Sequence, residues 1–238
     1  RWQWKRAGVI ALTAVFLAVD LAFFASNSAK IYLVSPRYGW FPLVIGALVF
    51  IVMTTWKRGR DSLYEFIRES TLPLDLFMAD IAHGDPHRVK GTAVFMTSNP
   101  EGAPPVLLHH FKHNKVLHAQ NLFVTVQHHE VPWVGFGKRC EVEPLGHDCW
   151  QVTLHFGFKN DPDVPEALKL LRDNGVELDD METSYFLSRD SVVPTFAQGM
   201  ALWREKLFAS MHRNAAAAAD FLNLPTNRIV ELGSKVEI

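Results

Sequence analysis

Two apolar runs, Ala7 to Ala29 and Tyr38 to Trp56, stand at the head of the chain and are separated by only a short loop. Each run is long enough to cross a bilayer as a helix, since about 20 apolar residues rising ~1.5 Å apiece span a hydrocarbon core ~30 Å thick. A helix satisfies its own backbone donors and acceptors, so lipid tolerates it where it tolerates little else. Lys5, Arg6 and Lys30 bound the first run, and Arg37, Lys57, Arg58 and Arg60 bound the second. A secretory signal peptide is the weaker reading, because the first run is long for a signal core and a second span follows almost at once. The expected fold class is an α-helical transmembrane hairpin followed by an α/β cytoplasmic domain with a mixed sheet. Residues 1–60 form the hairpin, with spans at 7–29 and 38–56, residues 61–90 an amphipathic connector, and residues 91–238 the α/β domain. The chain starts with Arg rather than Met, so it is expected to be the end of a larger polypeptide.

The basic residues orient this hairpin. Arg1, Lys5 and Arg6 precede the first span and Lys57, Arg58, Arg60 and Arg68 follow the second, against Lys30 and Arg37 in the loop. The positive-inside bias then places both ends in the cytoplasm of a multi-pass cell-membrane protein. Two cysteines, Cys140 and Cys149, fit a reducing compartment and are too few for a disulfide scaffold. They fall on the two arms of a predicted hairpin, where they could face each other as reduced thiols. A net charge of −1 leaves no broad basic field for nucleic acid.

Beyond the spans, Leu63, Phe66 and Ile67 recur at helical spacing up to Pro73, followed by Leu74, Phe77, Met78 and Ile81. His83 to Lys90 reads as a turn or linker. Thr92–Thr97 and Asn121–Val126 read as strands flanking a helix at Pro104–Asn114, an order that calls for parallel strands. Lys138–Glu143 and Trp150–Phe156 read as a hairpin turning at Pro144–His147. A helix over Asp161–Asn174, with Pro162 in its first turn and Gly175 as its stop, precedes a strand at Thr183–Leu187. A long helix over Gln198–Phe221 and an extended Arg228–Ile238 complete an α/β pattern.

Few residues suggest chemistry. Asp20 is the single ionisable side chain within the first span, where a carboxylate costs several kcal/mol unless paired, protonated or facing water. It is the transport-related candidate, and an interfacial Asp meeting a polar group on another helix is the plainer reading. Six of the eleven histidines fall between 109 and 129, and His109 and His113 share a helix face at metal-ligand spacing. No third ligand completes a set, so surface and cap roles are preferred and no metal site is assigned. Lys112, His113, Asn114 and Lys115 form a basic end to the predicted helix, suited to its dipole or to an anionic headgroup or phosphate. Asp179, Asp180 and Glu182 read as a solvated acidic turn. Neither a phosphate loop nor a hydrolase elbow occurs, so no catalytic residue, enzyme activity or cofactor is assigned.

The run LLHHFKHNKVLH from Leu107 to His118, followed by LFVTV, resembles the signature of the KUP/HAK/KT potassium uptake permeases. METSYFLSRD at Met181–Asp190, NRIVELGSKVEI from Asn227, Trp40-Phe41-Pro42 and Met53-Thr54-Thr55-Trp56 match in the same order. The resemblance implies the C-terminal portion of a secondary transporter that takes up potassium with protons. Its last two transmembrane helices and cytoplasmic domain would be present, and the earlier transmembrane helices that carry the cation site would be missing. Asp20, Phe23, Phe24 and Asn27 match the family's penultimate helix, which suits a scaffold role as well as transport. His110, Phe111 and Ala119 replace the more usual Asn, Leu and Glu, and Arg37-Tyr38-Gly39-Trp40 replaces Gly-Gly-Trp. Some members of that family dimerise and bind a cyclic dinucleotide through the cytoplasmic domain, so the resemblance also implies a homodimer and a cyclic dinucleotide as candidate partners. The competing reading is a two-span anchor in the lipid bilayer that displays an autonomous ligand-binding or enzymatic domain.

Overall fold

The structure is a computed structural model that describes residues 6–29, 40–195, 200–215 and 218–237. Expectations for Arg1, Lys5, Lys30, Arg37, Tyr38, Gly39, Gln198 and Ile238 lie outside the described residues. The chain divides into two units, Arg1–Lys57 and Arg58–Ile238.

In the first unit, α1 (Arg6–Ala29) buries none of its residues. It and α2 (Phe41–Ser70) are the two described helices long and apolar enough to cross a membrane. α2 does not stop at Trp56. It continues to Ser70, so the first part of the expected connector is the same helix. No proline interrupts it until Pro73, whose ring restricts the residue before it and removes a donor. Within the second unit, Leu63 on this helix is buried.

The second unit begins with that tail of α2 and with α3 (Leu74–Gly84), which buries Leu74, Phe77 and Ile81. β1 (His87–Thr97) starts five residues earlier than its apolar run suggests. The polar stretch His87–Val89 pairs with Val116–His118, and the register then slips before Thr92 resumes against Gln120. Gly91, at φ +99°, makes that slip, a conformation open to glycine because it lacks a Cβ. α4 (Pro105–Asn114) and β2 (Val116–His129) follow, and β1 and β2 are parallel, as the crossover pattern requires.

The hairpin is β3 (Cys140–Gly146) and β4 (Cys149–Gly157), antiparallel. Its turn is not Pro144–His147. It is His147–Asp148, both at positive φ (50° and 53°), the conformation that a two-residue hairpin demands. Pro144 lies in β3 itself, which a sheet edge permits because half of an edge strand's donors need no partner. The cysteines do not face each other: Cys140 stands opposite Leu154 and Cys149 opposite Gly146. Burial pushes both thiols up to about 11.

The helix expected from Asp161 starts only at Val164. Asp163 is its N-cap, accepting from the Glu166 backbone N–H at 2.8 Å, and Pro162 precedes it. This α5 (Val164–Leu168) passes into a 3-10 turn at Lys169–Asn174. β5 (Thr183–Val193) runs six residues beyond its predicted end. The long alanine-rich helix is two helices, α6 (Leu202–Arg213) and α7 (Ala218–Phe221). The first ends where the Asn214 side chain folds back to donate to the Ser210 carbonyl at 2.7 Å, competing with the helical ladder. β6 (Ile229–Glu237) completes the sheet.

The strand order is β3-β4-β2-β1-β5-β6, with β3 alone antiparallel to its neighbour. The sheet is therefore mixed, with a reversal of winding between β1 and β5. Alternating side chains feed two cores. Val94, Leu122, Val124, Val152 and Leu154 meet α5 and α7 on one face. Ala93, Phe95, Phe123 and Phe186 meet α3 and α4 on the other, where Phe95 stacks on Phe186 at 4.9 Å between centroids. Covering both faces is what a largely parallel sheet requires.

Candidate functional site

α4 and the start of β2 carry the conspicuous histidine-rich segment, and the helix sorts its residues by face. Val106, Leu107 and His110 point into the core at i, i+1 and i+4, whereas His109 and His113 lie on the exposed side. Those two rings stack on each other at 6.2 Å with an interplanar angle of 16°. Among the described residues, no group of three or more His, Cys, Asp or Glu side chains could hold a metal ion.

The buried histidine has a partner of its own kind. His110 and His118 sit 5.6 Å apart between centroids, and both pack on the Phe186 ring, at 5.0 and 5.6 Å. Asn114, one turn along α4, meets His110 Nδ1 at 2.9 Å. His110 Nε2 and His118 Nδ1 are buried and have no hydrogen-bond partner among the described residues. Burial holds both imidazoles below their ordinary pKa of 6.5, and His110 lowers His118 further. The pair is therefore neutral at pH 7, and acid would place charge in an aromatic core.

Backbone contacts hold this corner. Asn121 Oδ1 accepts from the His118 N–H at 3.3 Å, and its Nδ2 donates to the His118 carbonyl at 2.9 Å. The Arg88 guanidinium donates to the carbonyls of His118 at 3.1 Å and His147 at 2.7 Å, joining β1, β2 and the hairpin turn. Lys112, His113, Asn114 and Lys115 are exposed at the end of α4, where Lys115 takes φ +58° and donates its N–H to the Phe111 carbonyl. The cationic end thus complements the helix dipole, as its sequence position suggested. Asp20 belongs to the first unit, on the exposed surface of α1.

At the same amino-terminal edge of the sheet lies a polar cleft of about 420 Å³ lined by Lys90, Gln120, Arg172, Glu177, Asp179 and Glu182. The acidic turn is largely self-satisfied. Asp179 accepts from the Met181 N–H at 2.8 Å and, through its carbonyl, from the Thr183 hydroxyl at 2.7 Å, while Glu182 pairs with Lys90 at 3.2 Å. These roles agree with a solvated turn. The buried histidine pair was not anticipated, although His110 shares the helical spacing of Val106 and Leu107, which signals an inward position.

Comparison with known proteins matches the description "K+ potassium transporter integral membrane domain" to residues 1–61 and "K+ potassium transporter C-terminal domain" to residues 90–238. A "Probable potassium transport system protein Kup" of Methylibium petroleiphilum is 63% identical over 237 residues, covering 100% of this chain and 37% of that relative. The protein of the same description from Polaromonas naphthalenivorans is 58% identical with 38% of its length covered, and that of an Azoarcus species is 48% identical with 36% covered. The chain therefore spans little more than a third of the curated relatives it matches. No solved structure matches it.

Proposed function

The chain belongs to the K+ potassium transporter family, and on that premise we propose that it forms the closing part of a potassium permease. The carrying observation is that the integral membrane and C-terminal domains of the family match one chain in that order, over residues 1–61 and 90–238. In this reading α1 and α2 complete a transmembrane bundle whose other helices, with the cation site, precede them. Potassium is the cargo and protons are the coupling ion. The α/β unit lies on the cytoplasmic side, as the basic flanks of the two spans suggest, and regulates or dimerises the permease.

The two-unit division supports this assignment of labour. A unit whose first helix buries nothing needs surroundings supplied from outside it, whereas the α/β unit covers both faces of its own sheet. Asp20 is proposed as a residue that pairs with a polar group on a preceding helix, and uptake by the whole permease carrying Asp20→Asn, measured against pH, tests it, an unchanged profile reducing Asp20 to packing. Lys112–Lys115 are proposed as a cationic regulatory surface, for which a cyclic dinucleotide phosphate is one anionic candidate.

The experiment is potassium uptake by the whole permease with and without residues 91–238, at matched membrane abundance. Impaired uptake is the expected result. Normal uptake would remove the regulatory role, and a start codon immediately upstream of Arg1 in the genome would remove the permease reading.

A further inference from the structure

The carboxyl-terminal edge of the sheet carries an apolar knuckle that the potassium-transport reading does not use. It is built from the loop after β2 and the loop after β4. Trp133 and Phe158 are 64% and 63% exposed, and Val131 and Phe136 are exposed beside them. The two loops are strapped together by backbone bonds. The Phe158 N–H donates to the Val131 carbonyl at 3.0 Å and the Lys159 N–H to the Pro132 carbonyl at 2.9 Å. Asn160 Oδ1 accepts from both the Gly157 and the Val134 N–H at 2.8 Å. The approach is so close that a Cβ on Gly157 would meet the Val131 and Pro132 carbonyl oxygens at 2.6 Å. Exposed aromatics on a rigid support lose little conformational entropy when they insert into something else.

The centre of this knuckle is positive, and the exposed carboxylates Glu130 and Asp161 stand at its margins. Val131–Arg139 and Gly157–Asn160 contain Lys138, Arg139 and Lys159 and no carboxylate. Arg139 is committed internally, donating to the Val134 carbonyl at 3.2 Å and lying over the Phe136 and Phe156 rings, while Lys138 and Lys159 are exposed. Tryptophan, phenylalanine and lysine together are the chemistry of a surface that inserts at the headgroup level of an anionic membrane.

The position of the knuckle within the second unit points the same way. The chain enters this unit at Arg58, and the end of α2 packs at the carboxyl ends of the strands: Phe66 and Ile67 line a cavity of about 270 Å³ with Asp190 of β5 and Lys235 of β6. The next residues bond to the loop after β1, with the Ala103 N–H donating to the Leu72 carbonyl at 2.9 Å and the Leu74 N–H to the Glu101 carbonyl at 3.2 Å. Entry point and knuckle thus share one edge of one sheet. We propose that the Trp133–Phe158 knuckle is a docking surface for the anionic phospholipid bilayer. The proposal rests on the reading that α1 and α2 cross that bilayer.

The test uses the full chain reconstituted into lipid nanodiscs, of phosphatidylcholine alone or mixed with phosphatidylglycerol. The emission of Trp133 is obtained as the difference between the unsubstituted chain and Trp133→Ser. With the anionic lipid, this component should be quenched by brominated acyl chains and shielded from aqueous iodide. Lys138→Glu and Lys159→Glu should each lower the docked population about fivefold, and high salt should do the same. Iodide access to Trp133 in both lipid mixtures would overturn docking. Shielding from iodide without quenching by brominated lipid would also overturn it, in favour of coverage by protein such as a second copy. Trp40 and Trp56 report on the premise separately, because escape of both from brominated lipid would defeat the two-span reading whatever Trp133 does.

Discussion

The two units dispose of their apolar side chains in opposite ways. Phe16, Phe23 and Phe24 on α1 stand exposed, whereas Phe95, Phe123 and Phe156 in the sheet are at most 2% exposed. The difference lies in what each sequence can fold against. The period-two pattern of the strands delivers side chains to two faces that α3, α4, α5 and α7 then cover, so this unit contains its own core. A helix apolar on every side has no single face to bury, and it acquires stability from lipid and from neighbouring helices. The lesson is that hydrophobicity alone does not locate a core, because periodicity decides whether the chain can supply the other half.

If that contrast is correct, truncating equivalent rings has unequal effects. Phe95→Ala should cost the α/β unit about 3–5 kcal/mol in chemical denaturation, because a fully buried ring and its stack on Phe186 are lost. Phe23→Ala should change the same transition by less than about 0.5 kcal/mol. Equal losses would mean that the two units are not independent. Next in size is Gly157→Ala, whose Cβ would press on two backbone carbonyls. A loss of about 1–3 kcal/mol in the same assay is expected, and a neutral result would show the strapped loops to be loose.

A third effect depends on pH. The folded unit holds His110 and His118 below their ordinary 6.5, so the unfolded chain binds more protons as the pH falls past about 6.5. Stability should therefore drop on acidification through that region. His110→Asn combined with His118→Gln should flatten this limb of a stability-against-pH series, and an unchanged slope would assign the acid sensitivity elsewhere. The smallest expected effect is at the surface. Lys90→Ala removes an exposed 3.2 Å ion pair with Glu182 and should cost less than about 1 kcal/mol, with the remainder lost to added salt.

The sequence made the architecture legible wherever burial follows a simple period. Val94, Phe95, Leu122, Phe123 and Val124 announced the central parallel strands, and both apolar helices were evident from length and composition. Strand ends were not legible, because His87–Val89 and Ser188–Val193 pair through backbone groups that hydropathy does not report. The hairpin turn was misplaced since Pro144 looks like a turn residue, and only the edge position of β3 makes it acceptable within a strand. The break after Arg213 was hidden by alanines that favour a helix locally, while Asn214 caps α6. At the candidate site, the exposed end of α4 was readable as a helix terminus. The meeting of His110 with His118 was not, since it depends on how α4 packs over the first residues of β2.

The central place of β1 also sets a schedule for the making of this protein. Its β2 side is completed soon after synthesis, but Thr92 must wait for Thr183, roughly ninety residues later, before its other side is covered. At ribosomal rates of about 5–20 residues per second, that edge is open for several seconds or more. During this interval Ala93–Met96 presents an unpaired, apolar ribbon of the kind other chains can join. The pace of translation between β2 and β5 therefore sets how long the centre of this sheet stays open to other chains.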